Sequence, residues 1–173
     1  IGSFGFAVKK GSKYEYLVDD INKALAEMKE DGTYETIMNK WFGSSDSSES
    51  TDYFSRLNLT GSVTAKATPV KSSYTIVSDS SFAPFEYQDE SGKYVGIDME
   101  LIKAIAEQQG FTITIQNPGF DAALNAVQAG QADAVIAGMS ITDARKEIFD
   151  FSAAYYSSNI LLAVKNGSDI ASY

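Results

Sequence analysis

The sequence predicts an α/β fold in which a mainly parallel sheet carries helices on both faces. From residue 73 onward, short apolar runs alternate with stretches of helical period. Glycines and polar turns separate these runs at the spacing of strand–helix units. The chain has 173 residues, 44% of them hydrophobic, which is ordinary for one globular domain with a connecting segment.

The first part of the chain predicts one strand followed by two helices. Residues 3–9 form an apolar strand that ends in a glycine turn. Residues 14–29 repeat apolar side chains every three or four positions, which indicates an amphipathic helix. A shorter helix is predicted over residues 34–42, with Thr33 as its N-cap and Gly43 at its end.

A segment of different composition follows these helices. Residues 44–52 contain only Ser, Thr, Asp and Glu, which predicts a flexible, solvated linker. Residues 53–72 are mixed in composition, and either a weakly docked segment or a short strand is compatible with them. The predicted organisation is therefore residues 1–43, a linker at 44–72, and a second part at 73–173.

The second part alternates strands and helices. The predicted strands cover residues 74–77, 111–115, 133–137 and 159–165, with paired extended segments at 86–87 and 94–96. The predicted helices cover residues 98–109, with Asp98 as N-cap and Gly110 as C-cap, then 121–129 and 142–149.

The loops at one edge of this sheet are the expected place for a ligand. Ligands of parallel α/β sheets bind beyond the carboxyl ends of the strands. The loops that follow residues 77, 115 and 136 all lie at that edge. They bring together Asp79, Phe82, Phe120, Gly138, Ser140 and Arg145.

Residues 137–145 carry the clearest chemical signal at this edge. Gly138 permits a close backbone approach, and Ser140 and Thr142 are suited to capping a helix. Arg145 lies one turn further on, where its planar guanidinium can form a fork with a carboxylate. Free backbone N–H groups beside an arginine make an anion site. The alternative is an ordinary strand–turn–helix junction with a solvated arginine.

Composition excludes several functions. The net charge is −9, from 14 basic and 23 acidic residues, which argues against a nucleic-acid partner. The chain has no Cys and no His, so disulfides and mechanisms that use a histidine base are excluded. We expect no metal and no cofactor, and no apolar run reaches the length of a membrane span. The first residue is Ile rather than Met, so we expect a fragment or processed product.

Four motifs in order carry a resemblance to a known family. This chain resembles the solute-binding proteins of polar amino-acid ABC importers, including glutamine-binding proteins, over residues 74–168. Residues 4–43 look like the end of the same kind of protein. The motifs are DSSFAPFEY at 79–87, YVGIDMEL at 94–101, AGMSITDARK at 137–146 and FDFSAAYY at 149–156.

The resemblance implies the large lobe of a type II periplasmic-binding-protein-like fold. That lobe has a five-stranded, mostly parallel sheet with one antiparallel hinge strand. The order of the two parts is inverted relative to the family, which indicates either two tandem modules joined by the linker or a circular permutation. Residues 7–12 and 163–168 repeat one pattern, and we expect residues 4–9 to lie antiparallel beside residues 159–165. An exchange of parts between two chains stays open.

The resemblance also implies ligand-binding roles for seven residues. Arg145 and Ser140 would bind the α-carboxylate of an amino acid, and the Gly138 carbonyl would accept from its ammonium. The family's acidic partner for that ammonium lies on a second lobe, so we expect this chain alone to bind amino acids weakly or not at all, without closure of two lobes. The remaining contacts, to the ligand side chain and along the loop, fall to Asp79, Phe82, Phe120 and Met139.

The function implied is capture of a polar amino acid for delivery to an ABC permease. The resemblance favours glutamine, and glutamate, asparagine and arginine stay open. The implied location is outside the cytoplasm, as a fused or anchored module at the cell surface or in the periplasm. The alternatives are a sensor module and an enzyme similar to cyclohexadienyl dehydratase, for which Asp79 is the one carboxylate that we place in the cleft.

Overall fold

The computed structural model describes residues 2–43, 71–159 and 161–170. A five-stranded sheet lies at their centre. The strands are β1 Gly2–Phe4, β2 Ala7–Lys9, β3 Ser73–Val77, β4 Ser81–Phe82, β5 Glu86–Gln88, β6 Tyr94–Val95, β7 Thr112–Gln116, β8 Ala134–Val135, β9 Phe149–Phe151 and β10 Tyr156–Ser158. The helices are α1 Glu15–Glu30, α2 Thr33–Phe42, α3 Ile97–Gln109, α4 Phe120–Gln128 and α5 Asp143–Lys146.

The strands of the main sheet lie in the order β7-β3-β8-β2-β9. Strand β3 runs parallel to both β7 and β8. Strand β2 runs antiparallel to its two neighbours, β8 and β9. Four strands therefore share one direction and β2 opposes them, which confirms the predicted mostly parallel sheet with one antiparallel strand.

Helices cover both faces of this sheet. Side chains of a strand alternate between faces, so Ile76 and Val77 of β3 enter different cores. Ile76 packs in the core that α1, α2 and α3 cover, and Val77 packs in the core that α4 covers. Both faces are buried at the centre of the sheet, and the strand residues there, Ile76, Val77, Ala134 and Val135, are apolar.

The neighbours predicted for the first strand were wrong. Residues 3–9 divide into β1 and β2, and β2 lies between β8 and β9. Strand β1 instead pairs with β10, with Gly2 opposite Ser158. Among the described residues of 159–165, none belongs to a strand, and Leu161 is 85% exposed. An apolar run without a sheet edge beside it does not form a strand, so the repeated pattern at 7–12 and 163–168 has no shared structural position.

Several helix ends also differ from the predictions. The N-cap of α2 is Gly32 rather than Thr33, whose amide donates to Asp31 Oδ1 at 2.8 Å. Helix α3 begins at Ile97, so Asp98 lies inside its first turn and is not the N-cap. Gly110 does end α3, in the left-handed conformation. The helix predicted over 142–149 ends at Lys146, and Phe149–Phe151 form β9 instead. The predicted linker, residues 44–72, lies outside the described residues except for positions 71 and 72.

A polar cluster joins the two parts of the chain at the end of the sheet opposite the predicted ligand-binding edge. Asp133 is 5% exposed, and its Oδ2 accepts from Lys71 Nζ at 2.6 Å and from the Thr75 amide at 2.7 Å. The Lys71 ammonium also lies 5.5 Å from the ring centroid of Tyr14, in the first part of the chain. Burial opposes ionisation of Asp133, but hydrogen bonds from Lys71, Thr75 and Tyr14 outweigh it, so the pKa lies below its usual value.

Replacing Asp133 with Asn is expected to lower the free energy of unfolding by about 2 kcal/mol at neutral pH, because charge-assisted hydrogen bonds are lost. The pKa of Asp133 is lower in the folded state than in the unfolded state. Its contribution to the free energy of unfolding is therefore complete above the unfolded-state pKa and is lost as the pH falls through the folded-state pKa. Urea denaturation at neutral and acidic pH measures both effects.

Asp143→Asn is the matched control, since that carboxylate is fully exposed and lies 3.5 Å from Lys146. We expect little change in its stability at any pH. Equal losses in the two variants would show that the Asp133 cluster does not stabilise the fold.

Candidate ligand-binding site

The carboxyl ends of β3, β7 and β8 meet at one edge of the sheet, as predicted. Because these strands are adjacent and parallel, the loops that follow them are neighbours. Asp79 lies in the loop after β3, Phe82 ends the short strand β4 that follows this loop, and α4 after β7 begins at Phe120. The loop after β8, residues 137–142, is called the binding loop below.

The binding loop is held along its length by β1. The Gly5 amide donates to the Met139 carbonyl at 3.1 Å, and the Ile141 amide donates to the Ser3 carbonyl at 2.7 Å. These two bonds flank an antiparallel bridge between Phe4 and Ser140. In a bridge of this kind the amide and carbonyl of the central residue point away from the partner strand. The Ser140 amide therefore faces the side opposite β1.

Arg145 lies on that same side of the binding loop. Its Nη1 donates to the Ser140 carbonyl at 2.9 Å, and its Cζ lies 5.3 Å from the ring centroid of Phe120. The Thr142 hydroxyl caps α5 by accepting from the Arg145 amide at 3.2 Å. Within the described residues, Arg145 forms no ion pair with a carboxylate. A guanidinium has five N–H donors, so an oriented and half-buried cation is left with donors for an anion.

Phe82 covers Gly138 on the binding loop. Gly138 has a φ of 49°, and a Cβ at this position would lie 2.5 Å from Phe82 Cε1. The Phe82 ring is 42% exposed and stacks on Phe85 at 5.3 Å. Only glycine permits this contact without displacing the ring. The arrangement leaves an aromatic surface beside the amides of the loop.

Two predicted site residues have other contacts. Asp79 accepts from the Ser80 amide at 2.7 Å and from the Ser81 hydroxyl at 3.2 Å, so its carboxylate is oriented within its own loop. Met139 is fully buried, and its side chain lies in the core beneath α4. The Met139 side chain therefore faces the core, and the assignment of Met139 to the binding site stays a prediction. Strand alternation places it opposite Gly138 and Ser140.

A buried acidic residue that we predicted as a helix cap supports the binding loop instead. Asp98 is fully buried, and its Oδ2 accepts from the Gly138 amide at 2.7 Å and from the Tyr155 hydroxyl at 3.0 Å. Burial raises the Asp98 pKa to about 6, against the lowering effect of its hydrogen bonds. The available signal was an acid between the apolar residues Ile97 and Met99, but a helix start explained it equally well.

The described part of the chain shows no metal site and no membrane span. No three acidic side chains there come close enough together to hold a metal ion. None of its helices has the length and apolar character that a membrane-spanning segment requires.

The family model of bacterial extracellular solute-binding proteins, family 3, matches residues 4–44 and 74–171. The chain belongs to this family. Its α/β fold is the type II periplasmic-binding-protein-like lobe that the order of motifs implied.

Individual relatives match part of their length only. The arginine-binding extracellular protein ArtP of Bacillus subtilis (strain 168) is 40% identical over 91 residues, 53% of this chain and 35% of the relative. A probable histidine-binding protein of Neisseria gonorrhoeae is 35% identical over 99 residues, 57% of this chain and 37% of the relative. The chain thus spans just over a third of these family members.

One solved structure is more similar in sequence. The second substrate binding domain of a putative amino acid ABC transporter from Streptococcus pneumoniae Canada MDR_19A is 69% identical, with a TM-score of 0.50. The match covers 57% of this chain and 45% of that domain.

Substituting Gly138 with Ala is expected to displace Phe82 and lower the free energy of unfolding. A positive φ costs an L residue about 1–2 kcal/mol, and the clash with the Phe82 ring adds to that cost. Thermal unfolding measures the loss of stability, and the aromatic NMR resonances of Phe82 report its displacement.

Gly130→Ala separates the two causes. Gly130 has a φ of 73°, and a Cβ there would meet nothing within 4 Å. The control should lose stability without shifting Phe82 resonances. Unchanged Phe82 resonances in Gly138→Ala would contradict the close packing of this ring on the binding loop.

Proposed function

We propose that this chain is the ligand-binding part of a solute-binding protein of an amino-acid ABC importer. In this proposal the binding loop and Arg145 bind the α-carboxylate of a free polar amino acid. The observation that carries it is the guanidinium of Arg145, oriented by the Ser140 carbonyl and unpaired with any carboxylate of the described residues. The Ser140 amide, directed away from β1, is a second donor on that side.

The surroundings of Arg145 favour a carboxylate over a weaker ligand. The guanidinium lies against Phe120 and is half-buried, so its charge is partly removed from water. A cation in such a place gains most from a bidentate, charge-assisted partner. Every free amino acid has such a partner in its α-carboxylate. This supports a site that binds the group common to all amino acids, whatever their side chain.

Asp79 limits the side chains that fit the proposal. Its carboxylate is half-buried and can only accept hydrogen bonds when ionised. Such a group favours a ligand side chain with N–H donors. We therefore retain glutamine as the proposed ligand, with asparagine, arginine and histidine as the competitors, and rank glutamate below them. The names of the relatives report arginine and histidine binding, which keeps cationic ligands in the comparison.

The proposed partner is the membrane permease of the importer, outside the cytoplasm. The names of two relatives call them extracellular and periplasmic proteins. The Streptococcus pneumoniae structure is described as a second substrate binding domain, which supports the tandem-module arrangement over a circular permutation. Exchange of parts between two chains stays a prediction, which light scattering of the purified chain measures. No contact among the described residues favours the enzyme or sensor alternatives.

Titration with L-glutamine is expected to shift the NMR resonances of Gly138 and Ser140 in a saturable way. The dissociation constant should be on the order of millimolar, because one lobe supplies only part of the contacts. Glutaminamide, which lacks the α-carboxylate, should bind at least about tenfold more weakly. The same titration with arginine, histidine and asparagine ranks the side chains.

Arg145→Lys should abolish these shifts, since an ammonium cannot form the bidentate fork. The matched control is Lys146→Met, which removes the neighbouring exposed cation that pairs with Asp143. The control should bind like the unaltered chain. Equal affinity for glutamine and glutaminamide, or no saturable shift with any of these amino acids, would overturn the proposed function.

A further inference from the structure

Two carboxyl groups are buried side by side beneath the binding loop. Glu86 in β5 is 1% exposed and Asp98 in α3 is fully buried. The Asp98 amide donates to the carbonyl of Phe85, the residue before Glu86, at 2.9 Å, so the two acids are neighbours, and each carboxyl shifts the pKa of the other. Among the described residues, no Lys or Arg forms an ion pair with either group. Two buried carboxyls in contact without a cation cannot both be ionised.

The hydrogen bonds around the pair show which group is the carboxylate. Asp98 Oδ2 accepts from the Gly138 amide and from the Tyr155 hydroxyl, and both bonds favour an ionised Asp98. Neither oxygen of Glu86 accepts a hydrogen bond from an N–H or O–H of the described residues. Asp98 Oδ1 likewise accepts no hydrogen bond from an N–H or O–H of the described residues. A protonated Glu86 that donates to Asp98 satisfies this otherwise unpaired oxygen.

The charged and titratable groups around the pair agree with this assignment. Burial, the charge of Asp98 and the charge of Asp79 raise the pKa of Glu86 to about 10. Hydrogen bonds from Gly138, Glu86 and Tyr155 restrain the rise in the Asp98 pKa that burial causes. Burial and the two carboxyls also raise the pKa of Tyr155, so its hydroxyl remains a donor. At neutral pH the pair carries one proton and one negative charge.

We propose that Glu86 and Asp98 form a proton-sharing pair that positions the binding loop, with Asp98 holding the Gly138 amide and Glu86 holding Asp98. The proposal rests on the proposed function of that loop. Both acids act as positioning residues and do not touch the ligand. Because a peptide group is planar and trans, an inward Gly138 amide directs the Ala137 carbonyl away from Asp98.

The pair also connects the loop to the strands that support it. Tyr155 binds Asp98 through its hydroxyl, while its amide donates to the Phe4 carbonyl at 2.9 Å. Its carbonyl accepts from the Tyr34 hydroxyl of α2 at 2.5 Å. Asp98 thus links the binding loop to β1 and to α2. Loss of the proton from Glu86 would place a second charge beside Asp98 and weaken this linkage.

The first test needs no ligand. Carbon-detected NMR follows the Glu86 carboxyl carbon and the Gly138 α-carbon as pH rises, and exchange of amide protons does not affect it. Both carbons should titrate together with a midpoint of about 10. In Glu86→Gln the Gly138 carbon should not titrate, since a glutamine amide donates to Asp98 at every pH. The proposal is overturned if the Glu86 carboxyl is ionised at neutral pH, or if the chemical shift of the Gly138 α-carbon does not change as Glu86 titrates.

The second test measures amino-acid affinity of the same two proteins against pH. The ligand ammonium titrates in this range as well, but its effect cancels in the ratio of the two affinities. The ratio of the Glu86→Gln affinity to the affinity of the unaltered chain should rise about tenfold between neutral pH and a pH above the Glu86 pKa. A constant ratio overturns the positioning role. If neither protein binds an amino acid, the proposed function fails, but the carbon titration still tests whether Glu86 and Asp98 share a proton.

Tyr155→Phe and Asp98→Asn test the contacts of the pair. Tyr155→Phe removes one hydroxyl donor to Asp98 and should weaken amino-acid binding at neutral pH. Its matched control is Tyr74→Phe, which removes a buried tyrosine's hydroxyl that bonds Tyr16 at the other end of the sheet. Asp98→Asn removes the neighbouring charge, so the midpoint of the Glu86 carbon should fall. An unchanged Glu86 midpoint, or equal affinity losses in the two Phe variants, counts against the pair.

Discussion

The hydrogen bond from the Gly138 amide to Asp98 is the contact on which the candidate site depends. It fixes the first peptide of the binding loop from below, while the Phe82 ring covers Gly138. The Phe82 contact would not tolerate a larger residue at position 138. From this fixed point the loop runs along β1, and the Ser140 carbonyl then orients Arg145. The site is therefore built by backbone positions, and Arg145 is its one cationic side chain within the described residues.

The candidate site needs both parts of the chain, although the residues proposed to bind the ligand all come from the second. Strand β2 fills the place between β8 and β9, and β1 lies along the binding loop. Without these strands, Met139 and Ile141 would lose the backbone partners that set the direction of the Ser140 amide. The cluster of Lys71, Asp133 and Tyr14 joins the same two parts at the opposite end of the sheet. The two parts are thus tied at both ends of the strands.

Local patterns predicted the elements whose partners are near in sequence. The apolar period of α1 and the glycine that ends α3 each gave bounds within about one residue. The gathering of Phe82, Phe120, Gly138 and Arg145 followed from the parallel order of the strands. Long-range pairings were not predictable in this way, because nothing in residues 2–4 or 156–158 specifies that they pair. Asp98 was wrongly predicted as a helix N-cap, because aspartate is suited both to a helix start and to a buried position that accepts hydrogen bonds.

We propose that the binding loop and Arg145 form a prepositioned site for the α-carboxylate of an amino acid. A crystal structure of this chain grown with excess L-glutamine tests it most directly. We expect both carboxylate oxygens to bind the Arg145 guanidinium and one of them to accept also from the Ser140 amide, with the hydrogen bond from the Gly138 amide to Asp98 unchanged. A ligand whose α-carboxylate lies away from Arg145, or a binding loop that has left Asp98, would contradict it.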